Sequence, residues 1–452
     1  CILCNYNLSS RYSNVCIDLA ERYGVSSAKC IIYFVVGAFI THWNKHASFG
    51  LEYLKKAITY GTESGDVLII GYAYCLILEN CYLMGCSLAK IAEMVKKKKE
   101  TTKRLKHDNL TINVAIYERV VSILQASNEE SYESSISEYQ TREFLELVQR
   151  DKASLATYYC NKTYLCYMSG DYMEALAVAR SVEPLINSVL GFLITAKYYF
   201  YYSLVIITIY DKLAPKDKKQ LWRKLKKHLR QMKKWSVFCK ENFLHKYQLI
   251  KAEIANFEKN DTDAGLLYNM AIQSAHENGY IQDEALANEL ASKFYISRGM
   301  KKIGMSYMVN SIRGYYKWGA ISKVRQLQKQ YNEIGDLVEQ NLQKDDDTDK
   351  LLNMLSISIP GNSKSEVRLD NFLIDNALEE LLKETDINKM LKKFLKISVT
   401  YISADRGFLI LNRNGELLIK EIIDNNSSQI ITQEALLEQS NNLSKAIVRY
   451  VA

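Results

Sequence analysis

The sequence predicts a mainly α fold, with antiparallel helix pairs over residues 1–334 and a shorter α/β segment at the C-terminal end. Three observations carry this reading. Only 3 prolines and 19 glycines interrupt 452 residues, while Leu, Ile, Lys, Glu and Ala are plentiful, a composition that favours helix. A small residue followed eight positions later by glycine recurs along the helical part. Near residue 406 the apolar period changes from helical to alternating. With 48% apolar and 24% charged residues, the composition is that of a globular chain.

Taken in order, the chain opens on "CILC", residues 1–4, a lone CxxC with no second pair. Residue 1 is Cys rather than Met and no signal peptide follows, so an excerpt of a longer protein is expected. "CIIYFVVGAFITHW" (30–43) is apolar but reads as too short to span a bilayer. "HWNKH" sets His42 and His46 four apart, which on one helix face can hold zinc. Trp43 stands where HExxH needs its catalytic glutamate, and no third ligand is evident, so no metal site is expected.

The repeat shows when three segments are aligned. "AITYGTESG", "AIQSAHENG" and "SIRGYYKWG" pair Ala57 with Gly65, Ala271 with Gly279 and Ser311 with Gly319. The last two copies are 40 residues apart, enough for two helices and their turns. Glycine at the end of the pattern suits a helix C-cap that needs positive φ. Between them "HENGYIQDEALANELASKFYISRGM" (276–300) keeps Ala285, Ala287 and Ala291 with Gly279 and Gly299. These small residues are expected to let neighbouring helices press together rather than to seat a ligand. "YLCYMSGDYMEALAVARSVEP" (164–184) reads as helix, turn at Gly170-Asp171, second helix with Ala175 and Ala179, then Pro184. It resembles one unit of the tetratricopeptide repeat.

"SVLGFLITAKYYFYYSLVIITIY" (188–210) is long enough to cross a membrane. Lys197 in its middle and the tyrosines after it favour a buried bundle helix instead. "DKLAPKDKKQLWRKLKKHLRQMKKW" (211–235) crowds eleven Lys and Arg, ten of them from Lys216 to Lys234, around an apolar stripe of Leu221, Leu225, Leu229 and Met232. It reads as a surface helix with a solvated basic face, open to an acidic partner, a membrane surface or nucleic acid. Trp222 and Trp235 read as packing residues.

Residues 335–371 carry Asp345 to Asp347 and Pro360-Gly361 and read as a linker. A helix is expected to connect through 372–385 and resume from Asp386 as N-cap, with Leu391, Phe394 and Leu395 on one face. "RGFLILNRNGELLIKEII" (406–423) reads as two strands joined over Asn412 to Gly415, since Asn-Gly tolerates positive φ. "LSKAIVRYV" (443–451) reads as helix, with further strands lying past the end.

The chemistry expected of this chain is sparse. No GxxxxGK[ST], GxGxxG, HRD or DFG occurs, and none of the six histidines has a phospho-accepting context. No catalytic residue is assigned, and any cofactor-binding residue is unknown. The net charge of +8 permits a basic face but argues neither for nucleic acid nor for membrane. Ten cysteines lie scattered, mostly within apolar helical runs such as Cys75, Cys81, Cys86, Cys160 and Cys166, which points to a reducing, cytoplasmic compartment. The 32 tyrosines are expected to pack by their rings.

Three runs carry a more specific resemblance: Asn242-Phe-x-His245-Lys246, Glu284-Ala-Leu-Ala-x-Glu289-Leu-Ala291, and Tyr315-x-x-Trp318-Gly-Ala320. In this order they resemble the repeat region of large multidomain sensor kinases of bacteria and fungi. Those proteins join a Ser/Thr-kinase-like domain, an AAA-type ATPase, tetratricopeptide-like repeats, a GAF domain and a histidine kinase. Lys240 departs from the pattern, which often has Pro there. Residues 386–422 look like the opening of a GAF domain, so 386–452 would be its N-terminal half. The resemblance implies a regulatory, protein-interacting middle segment of a two-component-type kinase. No cofactor belongs to this segment, and ATP is implied for domains outside it. It further implies a partner or neighbouring ATPase and kinase domains on the repeats, a small-molecule or redox input to GAF, and a homodimer in the parent. The alternative is a stand-alone repeat–GAF scaffold without kinase activity, holding a partner in the concave groove of its repeats.

Overall fold

A computed structural model describes residues 6–105, 107–331, 406–413, 416–424 and 429–436. The chain divides into two compact units, Cys1–Leu355 and Ser356–Ala452. The expected linker, the helices at 372–402 and 443–451, and the CxxC at 1–4 lie outside the described residues.

The first unit is helical: α1 (Tyr6–Tyr23), α2 (Ser26–Phe39), α3 (Ser48–Ser64), α4 (Val67–Leu83), α5 (Leu88–Leu105), α6 (Asp108–Gln125), α7 (Glu129–Tyr139), α8 (Arg142–Val148) and α9 (Lys152–Ser169). It continues through α10 (Tyr172–Val182), α11 (Ile194–Ile209), α12 (Pro215–Phe238), α13 (Lys240–Phe257), α14 (Asp261–Glu277), α15 (Ile281–Ser297), α16 (Lys301–Trp318) and α17 (Ile321–Gln330). Consecutive helices pack as pairs, most extensively α15 on α16, α2 on α3 and α13 on α14.

The repeat pattern ends helices as expected. Gly65, Gly279 and Gly319 have φ of +76°, +71° and +96°. The amide of the following residue reaches back five positions each time, Asp66 to Gly61, Tyr280 to Ala275 and Ala320 to Tyr315, at 2.9 Å. This closes the last turn and satisfies carbonyls the helix would leave bare. Ala57, Ala271 and Ser311 are fully buried where each helix meets its neighbour. A Cβ at Gly279 would meet no atom within 4 Å, so only the left-handed backbone is at stake there. Gly279→Ala is expected to cost about 1–2 kcal/mol by that strain, read as a lower urea midpoint at unchanged slope.

The tetratricopeptide-like unit is built as its residues suggest. Gly170 takes φ +91°, and Asp171 caps α10 by accepting from the Glu174 amide at 3.2 Å. Ala175 and Ala179 are buried against α9 and α11.

The apolar run at 188–210 is an interior helix, α11, preceded by a short 3-10 turn at Ile186–Val189. The earlier run differs from its expectation. Counted from Ser26, it reaches Trp43 and is long and apolar enough to cross a membrane by length and composition, with 44% of it buried in the fold. Its helix ends at Phe39, and a 3-10 turn, Thr41–Trp43, follows. Cys30, Tyr33 and Val36 are buried, and Gly37 brings α2 onto α3, where its Cβ would stand 2.9 Å from the Gly50 carbonyl oxygen.

The last helices return to the first. Gln282 Nε2 donates to the Leu83 carbonyl (2.9 Å) across 199 residues, and Trp318 Nε1 to that of Cys86 (3.1 Å) across 232. Ser322 Oγ donates to the Leu124 carbonyl (3.1 Å), and Lys323 to that of Met168 (2.9 Å). The stack therefore folds back on itself. Between α6, α7, α9 and α17 a cleft of about 370 Å³ remains, lined by Leu124, Tyr132, Met168, Ser322 and Lys323.

In the second unit β1 (Arg406–Arg413), β2 (Glu416–Asp424) and β3 (Gln429–Leu436) form an antiparallel meander in sequence order. Arg413 pairs with Glu416, so the link is the Asn414-Gly415 dipeptide, two residues shorter than the expected turn. The third strand was not expected. Its "QIITQEAL" places Ile430 and Ile431 side by side and so lacks clean alternation.

Candidate functional site

Some of the charges inside the repeat unit, His245, Lys246 and Glu289, come from the runs singled out in the sequence. On α13, Asn242, His245 and Lys246 sit three and four positions apart, hence on one buried face. Asn242 donates from Nδ2 to the carbonyls of His42 (2.7 Å) and Lys45 (2.9 Å). Its Oδ1 accepts from the Ala47 amide (3.0 Å) and the Tyr280 hydroxyl (2.6 Å). One amide thereby pins the 42–47 turn to α13 and to the start of α15. Lys246 Nζ lies 2.6 Å from Asp283 Oδ2 and 2.8 Å from His245 Nε2, itself 3.0 Å from the same carboxylate oxygen.

Two turns along α15, Glu289 forms a second cluster. It takes ion pairs from Lys293 (2.6 Å) and Lys323 (3.1 Å), and its Oε2 accepts from the Tyr315 hydroxyl (2.9 Å). Burial would raise both carboxyls, but the charges beside them prevail: Lys246 holds Asp283 near 2, and Lys323 with Lys293 holds Glu289 near 2. His245 is pushed down to about 4, mainly by burial and then by the Lys246 charge.

Lys197 on α11 is different. Its ammonium donates to Asn161 Oδ1 (2.9 Å) and the Tyr82 hydroxyl (3.0 Å) and lies 3.9 Å from the centre of the Tyr164 ring. No carboxylate touches it among the described residues. Burial pushes it down to about 7. Glu79 nearby is pushed up to about 7 by burial, although it accepts from the Tyr117 hydroxyl at 2.9 Å.

Lys197 makes a pH prediction. The folded chain releases this proton near pH 7, whereas the unfolded chain holds it to about 10.5. The unfolded state then binds more protons between those values, so stability rises with pH there, by a contribution on the order of a few kcal/mol. Lys98, lowered to about 8 by burial, acts in the same direction. Lys197→Met should remove most of the rise between pH 7 and 10 in denaturant midpoints; an unchanged slope would show that Lys197 is not the group responsible.

Tyr82, Tyr164, Lys197, Lys246, Asp283 and Trp318 meet around a cavity of about 30 Å³. A single water needs roughly 10–15 Å³. The chamber admits one or two small species and no metabolite. Its charges join helices from both ends of the repeat stack.

His42 and His46 do not share a helix face. His42 is buried in the 3-10 turn and His46 lies past its end, its Nε2 3.2 Å from the Asn278 carbonyl. No group of three or more metal-ligating side chains occurs among the described residues. Sequence reasoning missed Asp283, Glu289, Lys323 and the destination of Lys197. An ionisable residue within an apolar run, as Glu79 and Lys197 are, was the signal available.

The basic stretch forms α12. Leu221, Leu225 and Met232 are buried as expected, Leu229 is half-buried, and His228 and Trp235 complete the inner stripe. Trp222 packs on Tyr210 and Phe257, and Trp235 on Trp43 and Phe243. Lys224 pairs with Glu183, and Asp217 with Arg180. Lys216, Lys219, Arg223, Lys226, Lys227, Arg230 and Lys233 are exposed. None of these seven has an ion-pair partner among the described residues.

Comparison with known proteins places this architecture. Residues 90–334, more than half of the chain, match the family model described as CHK1-like, TPR repeats. No curated protein matches the chain. The match covers α6 to α17, including both α15 clusters, Lys197 and the basic helix: the chain belongs to the CHK1-like family of tetratricopeptide repeats.

Proposed function

We propose that the chain is the regulatory, protein-interacting middle segment of a multidomain sensor kinase of the two-component type. Its partner surface lies on the outside of the repeats. Tetratricopeptide-type repeats are protein-interaction scaffolds. The observation that carries the proposal is the outer face of α12, seven exposed cations without ion-pair partners among the described residues. Unpaired surface cations at this density favour an acidic protein surface, and they speed its encounter more than they tighten it. The kinase context draws support from the three motif runs, and the GAF assignment of 386–452 from its helix–Arg-Gly–hairpin order. On the same reading ATP belongs to neighbouring domains, a small molecule to GAF, and the protein to the cytoplasm.

Two experiments test this. Reading the transcript outward should give a Walker motif upstream and a phospho-accepting histidine box downstream. A start just before Cys1 and a stop just after a completed GAF domain would instead favour the repeat–GAF scaffold. In the parent protein, chemical cross-links from Lys226, Lys227 and Lys233 should land on an acidic surface of another domain or partner. The Lys233 cross-link, whose amine is kept, should vanish in Lys226→Glu/Lys227→Glu/Arg230→Glu with the melting temperature unchanged. Cross-links that survive charge reversal, or a face that captures nucleic acid with the same salt dependence, would overturn the assignment of α12.

A further inference from the structure

We propose that the chamber between Lys197 and Lys246 is a site for a single small anion of the halide class, which helps hold the two ends of the repeat stack together. Both ammonium groups face the same cavity, and Asp283 is the one carboxylate that lines it. That carboxylate oxygen is already engaged by Lys246 at 2.6 Å and His245 at 3.0 Å. Lys197 has only neutral oxygens as partners, from Asn161 and Tyr82. Below about pH 7, where Lys197 keeps its proton and Asp283 is ionised, the lining carries one net positive charge.

The hydrogen-bond inventory also runs to donors. Each lysine brings three protons. Two of Lys197's go to Asn161 and Tyr82, and one of Lys246's to Asp283, whose Oδ2 also accepts from His245 Nε2. Past these the ammonium groups meet tyrosine rings, Tyr164 at 3.9 Å from Lys197 and Tyr280 at 4.4 Å from Lys246. The Tyr164 hydroxyl is buried, with only the Tyr82 hydroxyl, already taken by Lys197, near it. Gln282 offsets part of this: its Nε2 is spent on the Leu83 carbonyl, and its buried Oε1, against Gly85, is an acceptor without a partner. A buried cation without a counter-charge is costly, and a buried donor without an acceptor adds to that cost. An occupant that only accepts and carries one negative charge answers both.

Size restricts the class. About 30 Å³ admits a monatomic anion and excludes phosphate esters and carboxylate metabolites. Position supplies the consequence. The lining comes from α4 (Tyr82), α9 (Tyr164), α11 (Lys197), α13 (Lys246), α15 (Asp283) and α16 (Trp318), so one ion touches early and late helices together. A ligand bound only by the folded state raises its stability by mass action.

The test uses the whole 452-residue chain. Crystals grown in sodium bromide should show an anomalous peak in the chamber. The melting temperature in chloride should exceed that in gluconate at equal ionic strength by about 2 °C or more. General salt effects act on the whole surface, so they persist in variants of the chamber. Tyr164→Phe, which keeps the ring, should lose at least half of the chloride-specific rise, and Lys197→Met nearly all of it. If one variant fails to fold, the other and the bromide peak still decide. An empty or water-only chamber in bromide, peaks confined to the surface, or an equal chloride rise in wild type and Tyr164→Phe would each overturn the proposal.

Discussion

Asp283→Leu is expected to destabilise the repeat unit by about 3–5 kcal/mol. The loss comes less from the missing contact than from what it strands. Lys246 is buried, and its ammonium has Asp283 at 2.6 Å as its one carboxylate among the described residues. His245 loses its carboxylate partner in the same step. Removing the second charge should therefore recover much of the first loss. In Lys246→Met/Asp283→Leu, two apolar side chains replace a buried ion pair, an exchange that is often neutral or stabilising. Urea midpoints of wild type, both single variants and the double variant give the coupling directly. Additive single losses would mean that the pair does not act as a unit. The acid limb carries the same information. With Asp283 held near 2, its stabilising contribution is complete above the ordinary carboxylate value of 3.8. It is lost as pH falls from there towards 2, so the double variant should be less sensitive over that range.

Gly304→Val should cost about 1–3 kcal/mol by overpacking, set against the gain a mid-helix glycine ordinarily offers on replacement. A Cβ at Gly304 would stand 2.5 Å from Ile296 Cγ1 and 2.9 Å from the Ser292 carbonyl oxygen. The second contact is backbone, so α16 would have to lift from α15 along the most extensive helix pair of the unit. Gly265 is the control. Its Cβ would meet the Tyr295 hydroxyl at 3.0 Å, the far end of a side chain that can swing aside. Gly265→Ala should be neutral or stabilising by up to about 1 kcal/mol. Thermal midpoints of the two variants moving together would show that helix propensity, not close approach, governs both sites.

Several features were legible because they are local. A C-terminal glycine is fixed by a hydrogen bond that spans five residues, so Gly65, Gly279 and Gly319 could be placed by spacing alone. The same holds for Asp171 at the start of α10, for the inner stripe of α12 and for the Asn-Gly link between β1 and β2. The histidine pair at 42 and 46 misled for a local reason too: four-residue spacing means a shared face only in a continuous helix, and α2 stops at Phe39.

The candidate site was legible in its parts but not as a site. Asn242, His245, Lys246, Glu289, Tyr315 and Trp318 all fall within the runs that carried the family resemblance, yet nothing in their spacing says that they converge. By itself, then, the sequence determined the helical class, the helix ends, the repeat units and the small residues that let α15 and α16 touch. The tertiary structure decided which charges face one another and that the stack folds back on itself. The reason is physical. Caps and periodicity act over one or two turns, while the partner of a buried charge is chosen by whichever helix the fold brings opposite, here across 155 residues from Lys323 to the Met168 carbonyl.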